Sequence, residues 1–392
     1  MLAMSPIHQG RFSERPPFPN SRRLTALLPL VVLSLAHSRA YSSAGTESAA
    51  FLDIPVGAGP ASLGGAYTAL ALDAYSAIWN PAGLGFLMDT QLAGQHLSYL
   101  ESLHYEQFSL GFPINRDQAS PAGGQAVGFA VQYLGSGDFT GRDGSGAQTG
   151  DYSSHYGAYS LAYGQALNSK LSLGLTAKVI EAKLGDVSAR AYAVDMGTIL
   201  KINEKLTLAA ALAQVGSKMT FLQEGENLPM QARVALAFTP SWHWKMSVEE
   251  VYRPKSQQAS SRIGLEWKPL EMVAIRAGYK GDATTDLGGM SGFTAGIGLE
   301  FWSQEFAYAW VPYGDLGSTQ YFSLLLRFGP KHPSRNLIHY HVLRSTDPRR
   351  VYAAASRPDS DPDSDPDYKE LVTLLELGKS TQVTARPGEK QP

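Results

Sequence analysis

The chain of 392 residues contains no cysteine, which removes disulfides, thiolate metal sites and a cysteine nucleophile together. Charge is also scarce. Only 17% of the residues are charged, where about a quarter is usual for a soluble domain. The formal net charge of -2 provides no basic field, so no nucleic acid is expected as a partner. Past the N-terminus no apolar run is long enough for a spanning helix. Catalytic signatures are missing as well: neither a nucleophile elbow nor a metal-protease helix occurs. The adjacent acids Glu249 and Glu250 fall in an alternating segment and face opposite sides. No catalytic site, cofactor or metal centre is expected.

What is present begins with an export signal. Arg22 and Arg23 precede LTALLPLVVLSLA, an apolar run too short to span, and Ser38 and Ala40 supply small residues for cleavage. Residues 1–40 are therefore expected to be a signal peptide, with the mature chain starting near Tyr41.

From residue 90 onward the hydrophobic period is two. Leu171, Leu173, Leu175, Ala177 and Val179 alternate with Ser172, Gly174, Thr176 and Lys178, and Ile263, Leu265 and Trp267 alternate with Arg262, Gly264 and Glu266. Fourteen such segments can be marked between 91–99 and 320–328. Most are long enough to cross hydrocarbon when tilted. The long connections (134–154, 214–229 and 279–292) belong to one set of alternate connections, and the other set, apart from its first member, is tight. Aromatic residues Tyr159, Tyr163, Trp267, Phe301, Trp310 and Phe328 sit on the apolar faces, suiting the girdles of a membrane barrel. The opposite faces collect Lys178, Asp195, Arg233, Arg262, Glu266, Arg276, Glu300 and Arg327. A narrow lumen can pair such charges, whereas a sandwich core could not bury them cheaply. The fold expected is all-β: a 14-stranded antiparallel transmembrane β-barrel over 90–329, contacting outer-membrane lipid, with both termini in the periplasm.

The segment before the barrel, VGAGPASLGGAYTALALDAYSAIWNPAGLG (56–85), invites a dinucleotide-binding reading, a glycine turn running into an Ala-rich helix. Asp53 and Pro55 spoil the strand such a fold needs first. Pro81 then interrupts the second strand, and no acid closes it. The stretch instead resembles the N-terminal signature of the PorV/PorQ family, related to the FadL-type outer-membrane transporters of hydrophobic compounds. Gly57, Gly59, Gly64, Gly65, Trp79, Asn80, Pro81, Ala82 and Gly83 carry that likeness. Asn80-Pro81-Ala82 matches the family's NPA motif, which implies that 41–89 folds back into the barrel as a plug. Further matching stretches, among them FTGRDGSGAQTGDYSS and YAWVPYGDLGSTQYFSLLLRFG, extend the likeness over roughly 45–329.

Two functions follow from the resemblance. A PorV-like protein would handle or escort secreted proteins, with secretion-system components as partners, as in type IX secretion. A FadL-like one would conduct a small hydrophobic ligand, needing an apolar pocket among outer loops and plug and a gap in the wall. The polar, Gly-rich sequences of the long connections weigh toward the first. Residues 330–392 read as a mostly disordered periplasmic tail, with an Asp/Pro linker around 357–367 and a short helix in YKELVTLLELG. His339 with His341, and the acids from Asp359 to Glu370, fall short of a metal site.

Overall fold

The computed structural model of the protein describes residues 47–99, 103–115, 124–137, 139–281 and 290–329. The expected signal peptide, the tail with His339, His341 and the Asp/Pro run lie outside them.

Fourteen antiparallel strands close into a barrel. In chain order the strands are β1 (Thr90–Tyr99), β2 (Leu103–Asn115), β3 (Gln125–Gly135), β6 (Ser154–Ala166), β7 (Leu171–Leu184), β8 (Val187–Lys201) and β9 (Leu206–Gly216). The wall continues with β12 (Gln231–Ser241), β13 (Trp244–Arg253), β14 (Gln258–Leu270), β15 (Val273–Lys280), β16 (Phe293–Phe301), β17 (Gln304–Pro312) and β18 (Ser318–Phe328). β18 pairs with β1 from Thr90 opposite Phe328 to Ser98 opposite Gln320, which removes the free sheet edges. Every strand pairs with its neighbour in sequence once two extra hairpins are set aside. These hairpins, β4 (Phe139–Arg142) with β5 (Gln148–Tyr152) and β10 (Met219–Phe221) with β11 (Glu224–Glu226), stand inside two of the long connections. Period-two reading places the fourteen wall strands within a few residues but overlooks the hairpins, whose short polar runs carry no alternation.

The alternation separates two environments. Phe108, Phe129, Leu161, Leu175, Met196, Val234, Leu265, Ile297, Phe306 and Leu324 point outward and are exposed, forming the apolar belt that hydrocarbon requires. On the tight rim two turns repeat one device. Asn168 Oδ1 accepts the N–H groups of Lys170 and Leu171, and Asn203 Oδ1 accepts those of Lys205 and Leu206. In the β4–β5 turn, hydrogen bonds from Ser145 and Ala147 hold the Asp143 carboxyl below the usual carboxylate range.

Residues 47–89 run through the interior. The first described residue, Glu47, bridges to Asn227 in the β9–β12 connection, and the Ser48 N–H donates to the Asn227 carbonyl at 2.9 Å. That contact lies at the long-connection rim. The segment must cross the lumen to join β1, which starts at the tight rim. Its Ala-rich stretch does not become one long helix. α1 (Ala58–Ser62) stops at Gly64 and Gly65, whose φ values of 65° and 75° break the right-handed helix. One more turn, α2 (Ser76–Trp79), precedes a 3₁₀ helix over Pro81–Phe86.

Lipid contact on the outward face is testable with Leu175→Arg. In lipid vesicles its denaturant unfolding should show a loss of about 2–4 kcal/mol, the cost of a cation in the hydrocarbon band. Leu222→Arg, on an exposed connection residue, should leave stability unchanged.

Candidate functional site

The interior site is made where the N-terminal segment meets the wall. Asn80 is extended (φ -160°, ψ 102°), and its Oδ1 accepts the Ala82 N–H at 3.2 Å. It therefore caps the following 3₁₀ helix, and Pro81 occupies the first helical position, where a missing N–H costs nothing. The Asn80 amide donates to the carbonyls of Thr68 (3.1 Å) and Thr198 (3.2 Å), tying the turn both to its own segment and to β8. Ser172 Oγ donates to the Ala82 carbonyl at 2.6 Å, and Thr176 Oγ1 to the Ala77 carbonyl at 3.1 Å. Trp79 packs edge-on against Tyr67, lies 5.3 Å from the Arg233 guanidinium, and donates its indole N–H to Val56 O at 2.8 Å.

Glycine in the wall makes this approach possible. Gly164, Gly174 and Gly197 sit opposite one another on β6, β7 and β8; the first two face the backbone at Pro81 and the third faces the Asn80 side chain and the Pro81 ring. A Cβ on Gly128 would stand 3.0 Å from Ala77 Cβ, and one on Gly264 would stand 2.8 Å from Leu63 Cβ. Gly278 and Gly296 likewise admit Gly64 and Ser62, while Thr294 Oγ1 accepts the Gly64 N–H at 3.0 Å and donates to Ser62 O at 2.9 Å. Among the motif glycines, Gly57 donates its N–H to Gln95 Oε1, and Gly65 packs beside Arg262 and Trp79. Gly83 fits against the Ala71 carbonyl with no room for a side chain. Sequence reasoning missed these wall partners, because matching rows of glycine emerge only when the strand register is known.

The charged residues marked from the sequence fall into three groups. Lys178 and Asp195 form a buried pair at 2.5 Å beside an irregularity between β8 and β9. There Gln214 has φ 57° and gives its N–H to Asp195 Oδ1 at 2.8 Å, a side chain replacing a strand carbonyl. Higher in the lumen, Arg233 and Arg262 surround Glu249, which stands 3.9 Å from Arg262 and accepts the Thr68 N–H at 2.9 Å. Arg253 pairs with Asp53 at 3.2 Å near the long-connection end.

The third group follows the tight rim with alternating sign. Lys245 meets Glu266 (2.9 Å), Glu266 meets Arg276 (2.7 Å), and Arg276 meets Glu305 (2.6 Å). Glu305 meets Arg327 (3.4 Å), which leads through Glu300 (3.9 Å) to Lys268 (3.0 Å). Each buried charge has an opposite neighbour on both sides, which offsets much of its desolvation. Glu305 was not singled out by the sequence reading, since Arg276 and Arg327 lie on other strands, and Asp73 accepts the Tyr67 hydroxyl and the Tyr75 N–H within the inner segment itself.

A chamber of about 270 Å³ lies between this rim network and the inner segment. The upper lumen carries apolar side chains. There Leu97, Tyr105, Ile180 and Tyr321 form one buried apolar cluster with Phe51 and Leu52 of the segment and with Met219 and Leu228 of the β9–β12 connection. Among the described residues no group of His, Cys, Asp or Glu could hold a metal.

No protein-family model matches the chain, and no curated protein does. Among solved structures, several channels are distantly similar to the chain. A structure named CymD monoaromatic hydrocarbon channel has 12% identity and a TM-score of 0.48, covering 71% of this chain and 99% of its own. The Pseudomonas putida toluene transporter TodX has 14% identity and a TM-score of 0.43, covering 64% of this chain and 91% of its own. A Pseudomonas aeruginosa FadL homologue has 12% identity and a TM-score of 0.43, covering 69% of this chain and 97% of its own.

Asn80→Ala should free the capped turn without opening the barrel. Two of its three hydrogen bonds are buried and the third is partly so, so about 1–3 kcal/mol of local stability is at stake. Hydrogen exchange should speed up across residues 66–86 while the wall strands stay protected.

Proposed function

We propose that this protein is a non-enzymatic conduit for small hydrophobic molecules in the outer membrane, held closed by its own N-terminal segment. The observation that carries the reading is the apolar cluster of the upper lumen. A FadL-like conduit needs an apolar surface between outer connections and plug, and the polar sequences of the connections argued against one. The surface is supplied instead by inward side chains of the wall, closed over by Phe51, Leu52, Met219 and Leu228. A lumen serving only polar solutes would gain nothing from burying Leu97, Ile180 and Tyr321 there.

The wall supports the same reading. Away from the turns, the β8–β9 ladder is interrupted at Asp195 and Gln214. On the outer face beside it lies a recess of about 510 Å³ bordered by Phe129, Tyr159, Leu161, Tyr192, Val194 and Val215. The alternative role, escort of secreted proteins in the PorV manner, would use the β4–β5 and β10–β11 hairpins.

The test is uptake of N-phenylnaphthylamine, a fluorophore excluded by an intact outer leaflet, in cells carrying the full-length protein. Expression should raise uptake severalfold. Filling the upper lumen with Ala158→Trp, at a fully buried wall position, should abolish the gain while the protein still reaches the membrane. Unchanged uptake together with co-purification of secreted proteins would overturn the conduit and favour escort.

A further inference from the structure

The chamber at the tight rim is built for a ligand of a particular kind, and this inference rests on the conduit reading. We infer that it is a binding site for neutral, oxygen-bearing apolar molecules, such as ketones and alcohols, in preference to plain hydrocarbons and to carboxylates.

Three observations carry the assignment. The first is Arg276. Its Nε and Nη2 are engaged by Glu266 (2.7 Å) and Glu305 (2.6 Å), yet its Nη1 is buried without a hydrogen-bond partner. The side chain is 7% exposed and lines the chamber. Two glycines lie directly against Nη1. A Cβ on Gly59 would stand 3.2 Å from it and one on Gly298 2.8 Å. Nearby, the buried Tyr75 hydroxyl faces Ser323 but makes no hydrogen bond of ordinary geometry. Both residues line the same chamber. A guanidinium donor and a phenolic hydroxyl left open there call for an acceptor oxygen.

The second observation is charge balance. Lys245, Arg276 and Arg327 border the chamber with Asp73, Glu266 and Glu305, three cations against three acids. The site therefore offers an anion no net attraction, and a carboxylate near Nη1 would lie close to the acids already bonded to the same guanidinium. A carbonyl or hydroxyl oxygen accepts the hydrogen bond without that repulsion. The third is the rest of the lining, where Pro60, Leu63, Leu70 and Leu325 offer an apolar surface. A volume of about 270 Å³ admits a six-membered ring carrying one polar group. Molecules leaving the apolar upper lumen would then be sorted by a single polar contact.

The test measures binding of cyclohexanone, cyclohexanecarboxylate and methylcyclohexane to the full-length protein in lipid nanodiscs by saturation-transfer NMR and calorimetry. Cyclohexanone should bind saturably. Tyr75→Phe and Arg276→Lys should each weaken it roughly three- to tenfold, the worth of one hydrogen bond, while leaving methylcyclohexane unaffected. Heat-modified migration on gels verifies that both variants fold, and Tyr75→Phe keeps the charge network untouched. Carboxylate binding equal to or tighter than ketone binding would overturn the inference, as would an absence of saturable ketone binding or an unchanged affinity in both folded variants. Uptake of N-phenylnaphthylamine in the same proteins keeps the two claims apart. Uptake without ketone binding defeats the chamber and spares the conduit, and ketone binding without uptake does the reverse.

Discussion

A backbone that crosses hydrocarbon must satisfy every N–H and C=O within itself. Pairing of β1 with β18 completes that requirement here by closing the ladder. Closure then creates a second problem, because fourteen strands enclose more space than their inward side chains fill. The inner segment occupies it, and its own peptide groups must be satisfied where little water reaches. The wall supplies hydroxyls and amides for the purpose: Ser172, Thr176, Thr294, Gln91, Gln95 and Ser323 all bond backbone groups of residues 57–82. The inside of this barrel is thus shaped to receive a polypeptide.

Two contact sets divide the work. On β6, β7 and β8 the glycine row brings the Asn80–Ala82 turn to backbone distance, and on β14, β15 and β16 Gly264, Gly278 and Gly296 do the same for Leu63, Gly64 and Ser62. Between these seats the segment Tyr67–Asp73 faces the chamber and the alternating charges of the tight rim.

The wall was legible in the sequence because one physical rule, apolar outward and polar inward, acts on every strand from Thr90 to Phe328. The inward charges were legible for the same reason, and Lys178, Arg262 and Arg276 are buried where alternation puts them. Their pairing was not legible. Arg276 needs Glu266 and Glu305, and only a register can bring those together. A role for Asn80 was expected only from the resemblance, and the geometry here is that of a helix cap with Pro81 at the first helical position. Glycines at 128, 164, 174 and 197 looked like ordinary strand residues until the Asn80 turn was placed against them. In the Ala-rich stretch after Gly65, burial against the wall outweighs helix propensity.

The central claim is that the N-terminal segment is seated in the glycine rows of the closed barrel. Since the chain has no cysteine, a disulfide between Ala77→Cys and Gly128→Cys tests it with no competing thiol. The two Cβ positions stand 3.0 Å apart, so a shift of roughly half an ångström brings them to the separation a disulfide spans. Oxidation in native outer membranes should link them nearly completely in folded, heat-modifiable protein. Free thiols at both positions in protein that is otherwise folded would show that the segment lies elsewhere, and the account of a plugged conduit would fail with it.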